Sequence, residues 1–239
     1  MDNYSRPYGA AARTIDRAVI DEGLRQHMLG VYNYMGLGLV MTGVIAFLVA
    51  NTPALYMPIF GTPLKWIVML APLAFIFVLS WRLERLSLAA TQTLYWTFCG
   101  VMGLSLASVF LVFTGVSIAR AFFIAAAMFG AMSLYGYTTK ADLSRWGSFL
   151  LMGLIGVIIA SLVNLFIASS ALQFAVSVIG ILVFTGLTAY DTQRIKETYA
   201  EHYGAETNGK LAVMGALSLY LNFINLFQLL LHFVGQQEE

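Results

Sequence analysis

The sequence predicts an all-α membrane protein: seven transmembrane helices, with the C-terminal helix central in the bundle. Three observations predict it. The 239 residues are 59% hydrophobic and 10% charged, with mean hydropathy +0.79. A soluble domain carries about 25% charge. The apolar residues also fall into segments near the ~20 residues that cross the hydrocarbon. Finally, the last segment carries a polar stripe that lipid leaves unsatisfied.

In chain order the segments lie near 28–50, 63–81, 88–114, 118–138, 147–169, 173–192 and 211–234. Before them, residues 1–26 form a polar N-terminal tail with Arg6, Arg13, Arg17 and Arg25 among four acids. The tail lacks the apolar core of a signal peptide, so the first segment is expected to direct insertion. Residues 27–235 make up a single transmembrane domain. The second segment is the least regular, with Pro53, Pro58, Pro63 and Pro72 before or inside it. Pro72 deletes one backbone bond and is expected to kink its helix. Period-two alternation over about ten residues, the mark of a barrel, does not recur. Residues 197–210, rich in Glu, Gly and Lys, read as the one sizeable loop.

Lys and Arg set the orientation. Arg82, Arg85, Lys140, Arg145, Arg194, Lys196 and Lys210 fall in turns on the side of the N-terminal tail; Lys65 and Arg120 fall on the other. The positive-inside rule puts the N-terminus in the cytoplasm and, with seven crossings, the C-terminus outside. A re-entrant seventh segment would return it. Net charge is +1, which gives no field for nucleic acid. Cys99 is the sole cysteine, and His27, His202 and His232 are scattered, so no metal framework or cofactor site is expected. No hydrolase elbow, zincin helix or phosphate loop appears, and an enzyme is not expected. The four lysines fall at segment ends or in turns.

Leu134–Lys140 resembles Leu187–Arg194 at an offset of 53 residues, which fits either duplicated hairpins or chance. Asp191 ends the long apolar run 173–192 and is the only carboxylate in or abutting the last three segments. A charge there is costly unless paired or hydrated, which makes it a functional candidate. Its plain alternative is a local ion pair with Arg194, three residues on. Ser218, Asn222 and Asn225 follow i, i+4, i+7 and share one stripe of the last helix. They fit either interhelical hydrogen bonding or the lining of a polar path. The stripe is what argues for a central last helix.

Two stretches, Phe184–Lys196 and Met214–Phe227, together with Gly130–Lys140, resemble the Bax inhibitor family, also called transmembrane Bax inhibitor motif proteins. The short N-terminal tail resembles its bacterial members. The resemblance implies a seven-helix protein of the bacterial inner membrane and a calcium-permeable leak modulated by pH. Two aspartates on the sixth and seventh helices would share a proton and engage an arginine at the cytoplasmic end of the second, holding the pore closed. Asp191 matches the first aspartate, with weak, transient calcium binding there. The arginine falls on Arg85, or on Arg82 with a small gap. At the second aspartate this chain has Asn222, which cannot ionise, so a weakened pH response is expected. The partners implied are the lipid bilayer and calcium. A second role implied is an interaction protein that restrains a membrane-bound AAA protease or acts in stress and cell death.

Overall fold

The computed structural model describes residues 8–82 and 86–235; side chains at 8–21, Ser80, Arg82 and Glu201 are left out of the description. The helices are α1 Tyr8–Ala50, α2 Pro53–Phe60, α3 Leu64–Arg82, α4 Leu88–Val112, α5 Gly115–Thr138, α6 Ser144–Ile167, α7 Ser170–Thr198 and α8 Gly204–Val234. A 3-10 turn, Glu201–Tyr203, precedes α8. No β-strand occurs among the described residues. Six of the helices are long and apolar enough to cross a membrane. The pair α2–α3, bent by 88° at its break, makes a seventh if it is one span.

Local chemistry places most helix ends. Ser87, Thr114 and Ser169 accept from the backbone N–H groups of Ala90, Ser117 and Leu172 and so cap α4, α5 and α7. At α6 the cap comes from one step earlier, where Asp142 Oδ1 accepts from Ser144 N at 2.9 Å. That bond holds the Asp142 carboxyl below the usual carboxylate range. Prolines open α2 and shape α3: Pro53 sits in the first turn of α2, where its missing N–H costs nothing. Gly61 ends α2, and the chain turns sharply into α3.

Two expectations change here. The proline-bearing stretch before the second segment, to which no element was assigned from sequence, is an ordered helix of eight residues. Also, α7 runs on to Thr198 and α8 begins at Gly204, so most of 197–210 is helical. Polar residues extend a helix beyond lipid as readily as apolar ones within it. Here Lys210 approaches Glu206 at 3.8 Å, one turn apart. The N-terminal tail from Tyr8 is likewise the start of α1, continuous with the first span.

Pro72 lies within α3, which continues through it to Arg82. Its ring leaves the carbonyl of Val68, four residues back, without its helical donor. Ser105 of α4 fills the gap, donating Oγ–H to Val68 O at 2.5 Å. In lipid such a carbonyl has no water to turn to. Ser105→Ala is therefore expected to cost about 1–3 kcal/mol by orphaning it. In a Pro72→Ala background, where the backbone N–H is restored, the same change should cost about 0.6 kcal/mol. Thermal melting of the four proteins in detergent reads the difference; equal costs would show that the carbonyl does not need Ser105.

Helix α8 packs against α1, α4, α5 and α7 and is the most buried candidate span. By contrast α6 packs on α7, and α3 mainly on α4. The core follows α8 along its length through Val213, Leu217, Tyr220, Leu226 and Leu231. At mid-depth Thr42 Oγ1 donates to Cys99 O at 2.9 Å. Its only proton is then spent, so the 2.7 Å contact with Tyr220 has the tyrosine O–H donating. This ties α1, α4 and α8 together with every group satisfied.

Gly136 of α5 marks the tightest helix crossing near Asp191. A Cβ there would lie within 2.9 Å of the Ala189 Cα and carbonyl carbon, and closer still to its oxygen. Small residues permit such backbone approach in lipid. The crossing brings together the two similar stretches, 134–140 and 187–194.

Candidate functional site

The stretch Ala189–Lys196 lies wholly on α7, and helical geometry divides its side chains between two neighbours. Asp191 and Ile195, four apart, face α8. Ile195 packs where a Cβ on Gly215 would stand, at 3.0 Å from it. Thr192, Gln193 and Lys196 turn toward α5 and the chain that follows it.

Asp191 is buried, with 7% of its surface exposed. Its Oδ2 accepts two hydrogen bonds from α8: Ser218 Oγ donates at 2.7 Å and Asn222 Nδ2 at 2.9 Å. Both donors suit an ionised carboxylate. Oδ1 has a looser neighbour, Arg194 at 3.8 Å, whose side chain is 55% exposed. An exposed pair three residues apart contributes on the order of 0–1 kcal/mol. The Asp191 side chain is thus held mainly by α8 donors, with the local contact to Arg194 secondary. Its position on the helix is not penalised by the dipole, because α7 continues seven residues beyond it.

The predicted polar stripe is therefore split. Ser218 and Asn222 meet Asp191, whereas the Asn225 amide donates to Leu221 O of its own helix at 2.7 Å. Arg85 lies outside the described residues, and so does the side chain of Arg82. The described chain resumes at Leu86, just ahead of α4, and is held against α8 there. Lys210 Nζ donates to Leu86 O at 3.2 Å, and Leu88 packs on Gly209. Lys210 precedes Ser218 by eight residues, about 12 Å along α8.

A family model described as "Inhibitor of apoptosis-promoting Bax1" matches residues 24–239. The chain belongs to the Bax inhibitor family. It is 49% identical to a protein of Rickettsia prowazekii over 95% of this chain and 96% of that one. A Caulobacter vibrioides protein is 46% identical over the full length of both. Inner membrane protein YbhL of Escherichia coli is 45% identical over 90% of this chain and 93% of its own. This family member is accordingly an integral membrane protein.

Sequence reasoning passed over the other face of the motif. Gln193 clamps the α5–α6 turn with both ends of its amide: Oε1 accepts from Leu143 N and Nε2 donates to Ala141 O, each at 2.8 Å. Lys196 Nζ donates to Tyr137 O at 2.9 Å, placing a cation on the last carbonyls of α5. Thr192 Oγ1 donates to Thr188 O at 2.7 Å, so it must accept from Ser133 at 3.1 Å. Ser133 in turn accepts from Tyr32 O–H at 2.6 Å. The protons thus point one way, from α1 through α5 to a backbone carbonyl of α7. Spacing carried the signal: Gln193 and Lys196 are three apart, on a face distinct from that of Asp191. These residues make α7 a fixed post, against which the carboxylate is aimed at α8.

Proposed function

We propose that this protein is a passive, calcium-permeable leak of the inner membrane whose conductance Asp191 controls. The observation that carries the proposal is the buried Asp191 carboxylate, with one oxygen held by Ser218 and Asn222 and the other short of a close partner. Calcium takes hard oxygen ligands, often six or more. Among the described residues no three acids, histidines or cysteines gather into a metal site. One carboxylate with hydroxyl and amide oxygens nearby suits brief, weak coordination, and conduction requires that weakness.

The bundle on this reading has seven spans around a central α8, with α2–α3 as the second, the N-terminus inside and the C-terminus outside. Asp191 then faces the cytoplasmic mouth. Arg85, or Arg82, is the latch on Asp191 that this reading requires. Support comes from Leu86, next to Arg85 in sequence, whose carbonyl accepts from Lys210 of α8 about two turns from the site. Because Asn222 replaces a second acid, pH modulates the leak weakly.

The test is calcium entry into liposomes holding the full-length protein, at pH 7, with and without Arg85→Ala. The proposal expects a measurable leak above protein-free liposomes and a higher basal rate in the variant. No leak above the protein-free control contradicts the channel. An unchanged rate in Arg85→Ala contradicts the latch.

A further inference from the structure

The antiparallel pairing of α7 with α8 can be followed residue by residue away from Asp191. Ile195 meets Gly215, Asp191 meets Ser218 and Asn222, Gly180 meets Leu229, and the rings of Phe174 and Phe233 lie 5.4 Å apart. Ser177 stands three residues from both Phe174 and Gly180, on the same stripe, at the level of His232. It is 1% exposed, and its Oγ has no hydrogen-bond partner. A buried hydroxyl left unsatisfied, where a serine in a helix normally finds a carbonyl one turn back, marks a place that water serves.

The seam therefore has polar groups at two levels: Asp191, Ser218 and Asn222 at one, and Ser177 at the other. Between them sits Leu229. Its Cδ1 lies 2.7 Å, and its Cδ2 3.3 Å, from the position a Cβ on Gly180 would take. Val157 of α6 backs the same spot at 3.5 Å. A Cβ at position 180 would push the leucine tip aside.

We propose that Leu229, seated on Gly180, is a hydrophobic gate separating the Asp191 site from a hydrated pocket at Ser177. The gate rests on the leak proposed above and names a second barrier within it, at the end of the bundle remote from the charged turns. Apolar constrictions of this kind block ions by dewetting and open when a side chain withdraws. Helix α8 need not unfold to open it: a rotamer change of Leu229 away from Gly180 suffices.

Cysteine labelling tests the gate independently of ion flux. Single cysteines are introduced by Ser177→Cys and by Asn225→Cys in the full-length protein in sealed liposomes. Each is exposed to a membrane-impermeant cationic thiol reagent. Native Cys99 is buried and supplies the background. Position 177 should label from the side opposite the charged turns, and position 225 should not. Adding Leu229→Ala should speed labelling at 225 by about tenfold, the scale set by removing most of a half-buried leucine's apolar side chain. Leu229→Val, a smaller perturbation of packing, should give an intermediate rate if the alanine variant does not fold. Equal labelling of 225 with and without these changes, or no labelling of 177, overturns the gate. Labelling as expected in a protein that passes no calcium keeps the gate and rejects the leak. A calcium leak with unchanged labelling does the reverse.

Discussion

Replacing Asn222 with aspartate should make calcium leak steeply dependent on pH, where the natural chain responds weakly. Asn222 Nδ2 stands 2.9 Å from Asp191 Oδ2. An aspartate in that place puts two carboxylates within hydrogen-bond reach. They cannot both be ionised at that separation, so one keeps a proton well above the ordinary carboxylate range near about 4. The pair then titrates as a unit rather than as two independent acids. Ser218 remains as a donor at 2.7 Å, so the site keeps its shape. The amide of the natural chain offers a permanent donor instead and leaves Asp191 as the sole ionisable group of the trio. Flux into liposomes between about pH 5.5 and 8 compares the two proteins. The variant should change its rate markedly across that window and the natural chain only slightly. Superimposable profiles would remove residue 222 from the proton response.

Gly136→Ala should destabilise the fold more than any other single-methyl addition near the site. The new Cβ would meet the Ala189 backbone, with two atoms at 2.9 Å and the oxygen nearer. Backbone does not swing aside as a side-chain tip does. Helices α5 and α7 must separate, and with them the Ser133–Thr192 bond, the Gln193 clamp on the α5–α6 turn and the Lys196 contact with Tyr137. Overpacking of this kind costs about 1–3 kcal/mol. The control is Gly130→Ala, one and a half turns earlier on the same helix, where a Cβ meets nothing within 4 Å. There alanine's helix preference should stabilise by up to about 1 kcal/mol. Opposite shifts in melting temperature in detergent are expected; equal shifts would show that the crossing is not tight.

The apolar segments were legible because lipid imposes its own length and composition on a chain. Segments read at 88–114 and 118–138 end within three residues of α4 and α5. Asp191 was legible for the same reason, since a lone carboxylate in an apolar run stands out. Its donors, Ser218 and Asn222, were legible from helical spacing. Asn225 was not distinguishable from them: it shares their stripe, and only the three-dimensional path of α7 shows that it bonds its own helix. The extension of α8 back to Gly204 was hidden because charged residues read as loop while a helix outside lipid tolerates them. Helix α2 was hidden because Pro53 and Pro58 both argue against helix; Pro53 sits in the first turn, where proline is tolerated, and the helix runs through Pro58 all the same. Ser105 was unreadable in principle. Its role exists only because Pro72, 33 positions earlier, leaves a carbonyl facing it.

Asp191→Asn is the most direct test of the central claim. Asparagine keeps the volume and can still accept from Ser218 and Asn222 through its carbonyl oxygen, so the helices should stay paired and the melting temperature should move little. What disappears is the negative charge at the proposed mouth. Calcium flux into liposomes should then fall to the protein-free rate, loss of the carboxylate ligand outweighing release of the arginine latch. A folded Asp191→Asn protein that leaks calcium as fast as the natural chain would contradict the account.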